Sequence, residues 1–236
     1  MFEYGEKHPI LFEIILFIVA MIGAGIFVLL GSILGLPTNL SSSAGRIIVG
    51  IILFFIFRRV FKDNNGLFNN FVIILPALLF VIWNIFYNLS SGNSFGTANT
   101  FMEALIIAAA PAIFEEVIFR GIFIYNLKKY GYDDIKCLLI SALVFSLVHL
   151  TNAVGGNLIA VVLQIGYSFV IGLVLGAIYL KNNSILQVIL IHFLIDYSNS
   201  IYNGTVANSS YVQIAIFVLL LIGEAFYAYK LINAKE

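Results

Sequence analysis

Apolar residues gather into eight runs separated by short polar stretches: 10–36, 45–57, 67–89, 101–127, 137–150, 158–180, 185–198 and 211–229. The longest exceed the roughly 20 residues that an α-helix needs to cross a bilayer. The pattern predicts an all-α, polytopic protein of about eight transmembrane helices. The runs 45–57, 137–150 and 185–198 are short for a span. Between the runs lie a polar start at 1–9, a loop at 37–43, a turn at 63–66, a polar loop at 90–99 and a charged loop at 128–136. Gly23, Gly25, Gly31 and Gly35 offer close helix packing in the first run, and Pro76 is expected to kink the third.

Composition narrows this further. Hydrophobic residues make up 61% and charged residues 10% of the 236 residues, and mean hydropathy is +1.05. An ordinary soluble domain carries about 25% charged residues, so no room remains for a separate soluble domain. A formal net charge of zero argues against a nucleic-acid partner. The single cysteine, Cys137, rules out an internal disulfide and is expected to pack as a small apolar residue. The first run is too long for the apolar core of a cleavable signal peptide.

Lysine and arginine set the orientation. Of the twelve, Arg46 is assigned to the first loop and Arg120 lies inside the fourth run. The other ten are Lys7, Arg58, Arg59, Lys62, Lys128, Lys129, Lys136, Lys181, Lys230 and Lys235. With eight spans they all fall on one side, so both termini are placed in the cytoplasm of a multi-pass membrane protein, consistent with a bacterial plasma membrane. The expected division is two N-terminal spans in 1–66, a catalytic core in 67–200 and a C-terminal span in 201–236, forming one membrane domain in contact with the lipid bilayer.

The candidate chemistry lies where charge interrupts the apolar pattern. Glu115, Glu116 and Arg120 stand within six residues in the middle of the fourth run, where each ionisable group costs several kcal/mol on transfer into hydrocarbon. Glu116 and Arg120 are four apart and can pair on one helix face, whereas Glu115 points about 100° away and is free for a different task. Phe145 and His149 sit one turn apart in the fifth run, and His192 and Asp196 one turn apart in the seventh. Counted at ~1.5 Å per residue from the cytoplasmic ends, Glu115 lies ~18 Å deep, His149 ~20 Å and His192 ~13 Å. The six groups thus share one slab and are expected around one water-containing cavity. Other polar residues have plainer readings: Glu13 and Glu103 as interfacial groups, Glu224 as a snorkelling carboxylate, Gln164 and Gln213 as interhelical hydrogen bonders, and Trp83, Tyr125, Tyr227 and Tyr229 as packing or aromatic-belt residues.

Glu-Glu-x-x-x-Arg at 115–120, Phe-x-x-x-His at 145–149 and His-x-x-x-Asp at 192–196, in that order, resemble the CPBP family (CaaX protease and bacteriocin-processing, or Abi), whose relatives include the eukaryotic CaaX prenyl endopeptidase. The resemblance covers roughly residues 70–200; the first 65 residues carry no such signature. It implies an intramembrane endopeptidase of the glutamate type that needs no cofactor or metal. Glu115 and His149 would hold and activate a water, Arg120 would fix Glu116, and His192 with Asp196 would stabilise the oxyanion. The eukaryotic enzyme has Asn at the last position. An ionised Asp cannot donate there, so Asp196 is either protonated or an acceptor that orients His192. Two His and three carboxylates could also ligate a divalent ion, although not in a His-Glu-x-x-His order. Substrates would be peptide precursors such as bacteriocin leaders, or other membrane proteins. The same resemblance leaves open a non-catalytic role in bacteriocin immunity or in regulating a membrane sensor kinase. A proton-coupled transporter is disfavoured by the lack of a two-fold repeat of broken helices.

Overall fold

A computed structural model describes residues 2–62, 65–153, 157–203 and 210–234, without the side chains of Phe2 and Ala98. Lys235 and parts of the loops expected at 63–66, 151–157 and 203–210 lie outside the described residues. The chain runs through α1 (Phe2–Lys7), α2 (Pro9–Ile33), α3 (Thr38–Ile56), two 3-10 turns (Phe71–Ile74 and Pro76–Leu78) and α4 (Leu79–Ser90). It continues through α5 (Ala98–Glu116), a π-helical segment (Val117–Phe123), α6 (Ile124–Tyr130), α7 (Asp134–Leu147), a 3-10 turn (Val148–Ala153), α8 (Leu158–Asn182), α9 (Ile185–Ser200) and α10 (Tyr211–Asn233). Two short strands, β1 (Ser94–Phe95) and β2 (Tyr202–Asn203), pair antiparallel.

Every apolar run carries helix. Among the described residues, six helical stretches are long and apolar enough to cross a membrane: 9–33, 38–56, 71–90, 134–153, 158–182 and 211–233. The 16 residues of α9 form a shorter apolar helix. The charged fourth run joins α5, the π segment and α6 without a break, because Val117 and Ile124 at the junctions keep right-handed helical dihedrals. Its 19, 7 and 7 residues extend roughly 50 Å at about 1.5 Å per residue, more than the ~30 Å hydrocarbon layer. Glu115 to Arg120 therefore sit near its middle. Thr97 starts it with a capping box shared with Thr100, and Gly131, at φ 103°, ends it. This helix lies at the bundle centre: Phe114, Ile118, Phe119, Ile122 and Phe123 are all buried, and α5 packs between α3 and α9.

Several boundaries differ from the sequence pattern. α3 begins at Thr38, inside the expected loop, because Ser41 and Ser43 are buried at the helix interface and Ser41 Oγ donates to the Pro37 carbonyl at 3.1 Å. The third run is not one kinked helix. It opens with two 3-10 turns, and Pro76, which lacks an N–H, starts the second. Of the four glycines in the first run, only Gly31 permits an unusually close approach: a Cβ there would lie 1.9 Å from Ser41 Oγ, whereas one on Gly23 would make ordinary contact and Gly25 faces open space. Gly35 takes a left-handed turn at φ 68°. Glu13 and Glu224 are buried instead of interfacial; α1 and α6 pack against that end of α2. Gln213 joins elements as expected, donating to Ser90 Oγ at 2.9 Å, and Trp83 stacks on Phe217 with ring centroids 5.3 Å apart.

Hydrogen bonds between elements define two faces of the bundle. On one, Asn65 donates to the Asn182 carbonyl at 2.6 Å, Gln187 donates to the Asn69 carbonyl at 2.6 Å, and Arg59 reaches Glu6 at 3.2 Å. On the other, Asn88 donates to Asn199 at 3.2 Å and the β1–β2 ribbon is extended by Gly96 N–H donating to the Ile201 carbonyl at 2.9 Å.

Candidate active site

The adjacent glutamates have opposite surroundings. Glu116 is fully buried, and its Oε1 accepts from Arg120 Nη1 at 2.9 Å; both side chains are 0% exposed. The i, i+4 pairing read from the sequence is present. The Arg120 guanidinium also lies over the Phe145 ring, with Cζ 4.1 Å from its centroid, a cation–π contact that compensates part of the lost hydration. Glu115 points the other way into a cavity of about 230 Å3, where its side chain keeps 12% exposure.

The π-helical segment follows directly after this pair. Such segments are rare and concentrate at functional sites. Two contacts hold this one. Ser141 of α7 donates to the Phe119 carbonyl at 3.0 Å. Gly121 admits the Phe61 ring, whose edge would lie 2.4 Å from any Cβ placed there, so the glycine after Arg120 makes room for an aromatic from the segment after α3.

His192 is the hub of the site. Its Nδ1 lies 2.7 Å from Glu116 Oε1, and its Nε2 lies 3.5 Å from Asp196 Oδ2 and 4.0 Å from Glu115 Oε2. One imidazole therefore links the buried ion pair to the two carboxylates of the cavity. Asp196 is 35% exposed at its side chain, the most open of the site carboxylates. Phe145 packs edge-on to both histidines, with centroids 5.5 Å from His149 and 6.1 Å from His192. It thus spaces two rings that the sequence places 43 residues apart.

His149 lines the same cavity as Glu115, His192 and Asp196. It does so from the 3-10 turn Val148–Ala153, since α7 ends at Leu147; the fifth run delivers it from its terminal turn. Its Nδ1 lies 3.5 Å from Gln164 Nε2, and Gln164 Oε1 accepts from Asn152 at 3.0 Å. Gln164 is therefore part of the cavity wall as well as a link between elements.

Arg46 is the residue that the sequence reading left aside. It lies in α3, eight residues after the helix start, and lines the cavity beside Glu115, His149 and Asp196. Its charge acts electrostatically on both Glu115 and His149, and it makes no hydrogen bond or ion pair among the described residues. The signal was available: an arginine at membrane depth is a functional candidate by default. Its place one residue after the start of the second run led to its assignment to the preceding loop.

The donor set is suited to proton transfer. Among the described residues no group of three or more His, Cys, Asp and Glu side chains is placed to hold a metal ion. What the cavity offers is one carboxylate with room for a water, two imidazoles, a second carboxylate and a guanidinium unpaired among the described residues, enclosed by apolar helices.

Comparison with known proteins bears on this arrangement. Residues 97–198 match the family model described as Type II CAAX prenyl endopeptidase Rce1-like. The curated proteins and the solved structures gave no match. The matched kinship is with membrane-embedded peptidases, which implies a multi-pass membrane protein acting on a peptide or protein substrate within the bilayer. Glu115, Glu116, Arg120, His149, His192 and Asp196 all lie inside the segment 97–198 that is similar to the Rce1-like type II CAAX prenyl endopeptidases.

Proposed function

We propose that the chain is an intramembrane endopeptidase of the glutamate type, hydrolysing a peptide bond with a water activated by Glu115 and His149. The observation that carries this reading is the division of labour around His192. Glu115, His149, His192 and Asp196 face one cavity, while Glu116 and Arg120 form a buried ion pair that holds His192 from behind.

In this mechanism Glu115 takes a proton from the water as its oxygen attacks the scissile carbonyl carbon. Gln164, donating to His149 Nδ1, leaves the His149 proton on Nε2 and so sets the tautomer of the ring that orients the water. Negative charge moves to the carbonyl oxygen. His192 meets it with Nε2, since its Nδ1 is engaged by Glu116, and Arg46 supplies a second positive donor on the same cavity wall. Glu116 fixes His192 through Nδ1, Asp196 takes the Nε2–H in the resting site and yields it to the oxyanion, and Arg46 supplies the further donor that an Asn would provide. Glu115 then returns its proton to the departing amide nitrogen as the C–N bond breaks, giving a new carboxylate and a new amine. No step requires a metal or cofactor. The peptidase kinship favours this reading over bacteriocin immunity or sensor-kinase regulation.

The test is to reconstitute the purified chain in liposomes with membrane peptides from its host and to identify newly formed termini by mass spectrometry. New termini that form with the native chain, persist in chelator and disappear with Glu115→Gln are the expected result. Termini that vanish in chelator and return with added metal would replace the water–glutamate mechanism by a metal-assisted one.

A further inference from the structure

A second cavity, of about 300 Å3, adjoins the first and shares Arg46, Pro111 and Asp196 with it. Its remaining polar walls come from the opening turns of α3 (Asn39, Ser42 and Ser43) and the last turn of α9 (Asn199 and Ser200). Asn39 and Asn199 are exposed and Ser43 is buried, so an amide- and hydroxyl-lined passage leads from an open rim to the Arg46–Asp196 junction beside His192. Hydroxyl and amide groups thus line both walls of the passage. They match the hydrogen-bonding needs of water and of an extended peptide backbone.

The rim lies on the face that carries β1, β2, the loops at 34–37 and 91–97 and the 3-10 turn Val148–Ala153, none of which contains Lys or Arg. The opposite face gathers Lys7, Arg58, Arg59, Lys62, Lys128, Lys129, Lys136, Lys181 and Lys230. It is tied together by Arg59 to Glu6 at 3.2 Å, Tyr125 Oη to Glu6 at 3.4 Å and Lys181 to the Ala234 carbonyl at 2.9 Å. So one-sided a distribution of short-loop cations assigns the basic face to the cytoplasm and leaves the polar passage opening outward.

We propose that this second cavity is the entry path by which water and an extended peptide segment reach the catalytic cavity from the extracytoplasmic side. The substrate class follows: a peptide already moved across the membrane, or an outward-facing segment of a membrane protein. A translocation step must therefore precede cleavage. This rests on the proteolytic reading for its substrate but not for its topology.

Cysteine labelling tests it in a Cys137→Ala background, which removes the one native thiol. Asn199→Cys and Lys129→Cys are exposed to a charged, membrane-impermeant maleimide in intact cells and in inverted vesicles. The expected result is labelling of Asn199→Cys in intact cells and of Lys129→Cys only in inverted vesicles. Labelling of Asn199→Cys only in inverted vesicles, or from neither side, would overturn the proposal. Ser42→Cys, compared before and after attachment of a bulky maleimide, should lose at least tenfold of its cleavage rate. Unchanged cleavage after complete labelling would overturn the passage as an entry path. The labelling pattern is independent of catalysis and should be the same with Glu115→Gln. If that variant still cleaved substrate, the proteolytic reading would fail while the outward opening stood.

Discussion

Removing the charge of Glu116 while keeping its shape isolates the buried pair beneath the site. Glu116→Gln retains a carbonyl oxygen that can accept from His192 Nδ1, now at 2.7 Å, but leaves the Arg120 guanidinium, fully buried and 2.9 Å away, without its counter-ion. Breaking one half of a buried pair typically costs about 3–5 kcal/mol, because the partner's desolvation is no longer offset, whereas replacing both partners with neutral groups of similar volume is close to neutral. At roughly 2–4 °C per kcal/mol for a chain of 150–250 residues, the single variant should melt roughly 6–20 °C lower. Glu116→Gln with Arg120→Met should recover most of that loss yet remain poorly active, since His192 no longer rests on a fixed charge. The chain carries its own reporter: Cys137, the single cysteine, is buried, so a thiol-reactive fluorogenic dye signals unfolding in detergent. If the single variant melts with the wild type, or the double variant is destabilised by the sum of the two single changes, the pair is not the buried support described here.

Other expectations follow from individual contacts. Arg46→Gln should lower kcat by about 10²–10³-fold, the range for losing one oxyanion donor, with KM little changed, and Arg46→Lys should recover part of it; steady-state kinetics with a defined peptide decides. Asp196→Asn keeps an acceptor for His192 Nε2, 3.5 Å from the present carboxylate oxygen, and should stay within about tenfold of wild-type activity, whereas Asp196→Ala should lose more; a pH–rate profile for each separates orientation from charge. Ser141→Ala strips the buried Phe119 carbonyl of its donor at 3.0 Å and should destabilise the chain by about 1–3 kcal/mol, seen in the same melting assay.

The placement of helices was legible because the bilayer penalises polar interruptions, and the eight apolar runs record that penalty directly. The Glu116–Arg120 pair was legible from its spacing alone, as was the separation of Glu115 from Glu116, because successive helical residues turn by about 100°. Three features were not. Arg46 was hidden by the serines before it: Ser41 and Ser43 mark a helix interface here, yet a hydroxyl-rich stretch resembles a loop when only hydropathy is counted. The π-helical winding of 117–123 is not signalled by its own residues; its supports, Ser141 and Phe61, are distant in sequence. Glu13 and Glu224 lie near helix ends in the sequence, and depth along a helix does not say which face is covered by a neighbour. His149 was placed in the right cavity by its spacing from Phe145, but on an α-helix when it occupies the 3-10 turn that follows.

The central claim is that a water held by Glu115 and His149 cuts the peptide. Cleavage by Glu115→Gln and by His149→Ala, each purified, reconstituted at equal density and checked for unchanged melting, tests it most directly. The account predicts a loss of at least about 10²-fold in each, with both proteins folded. Full cleavage by either variant would contradict it.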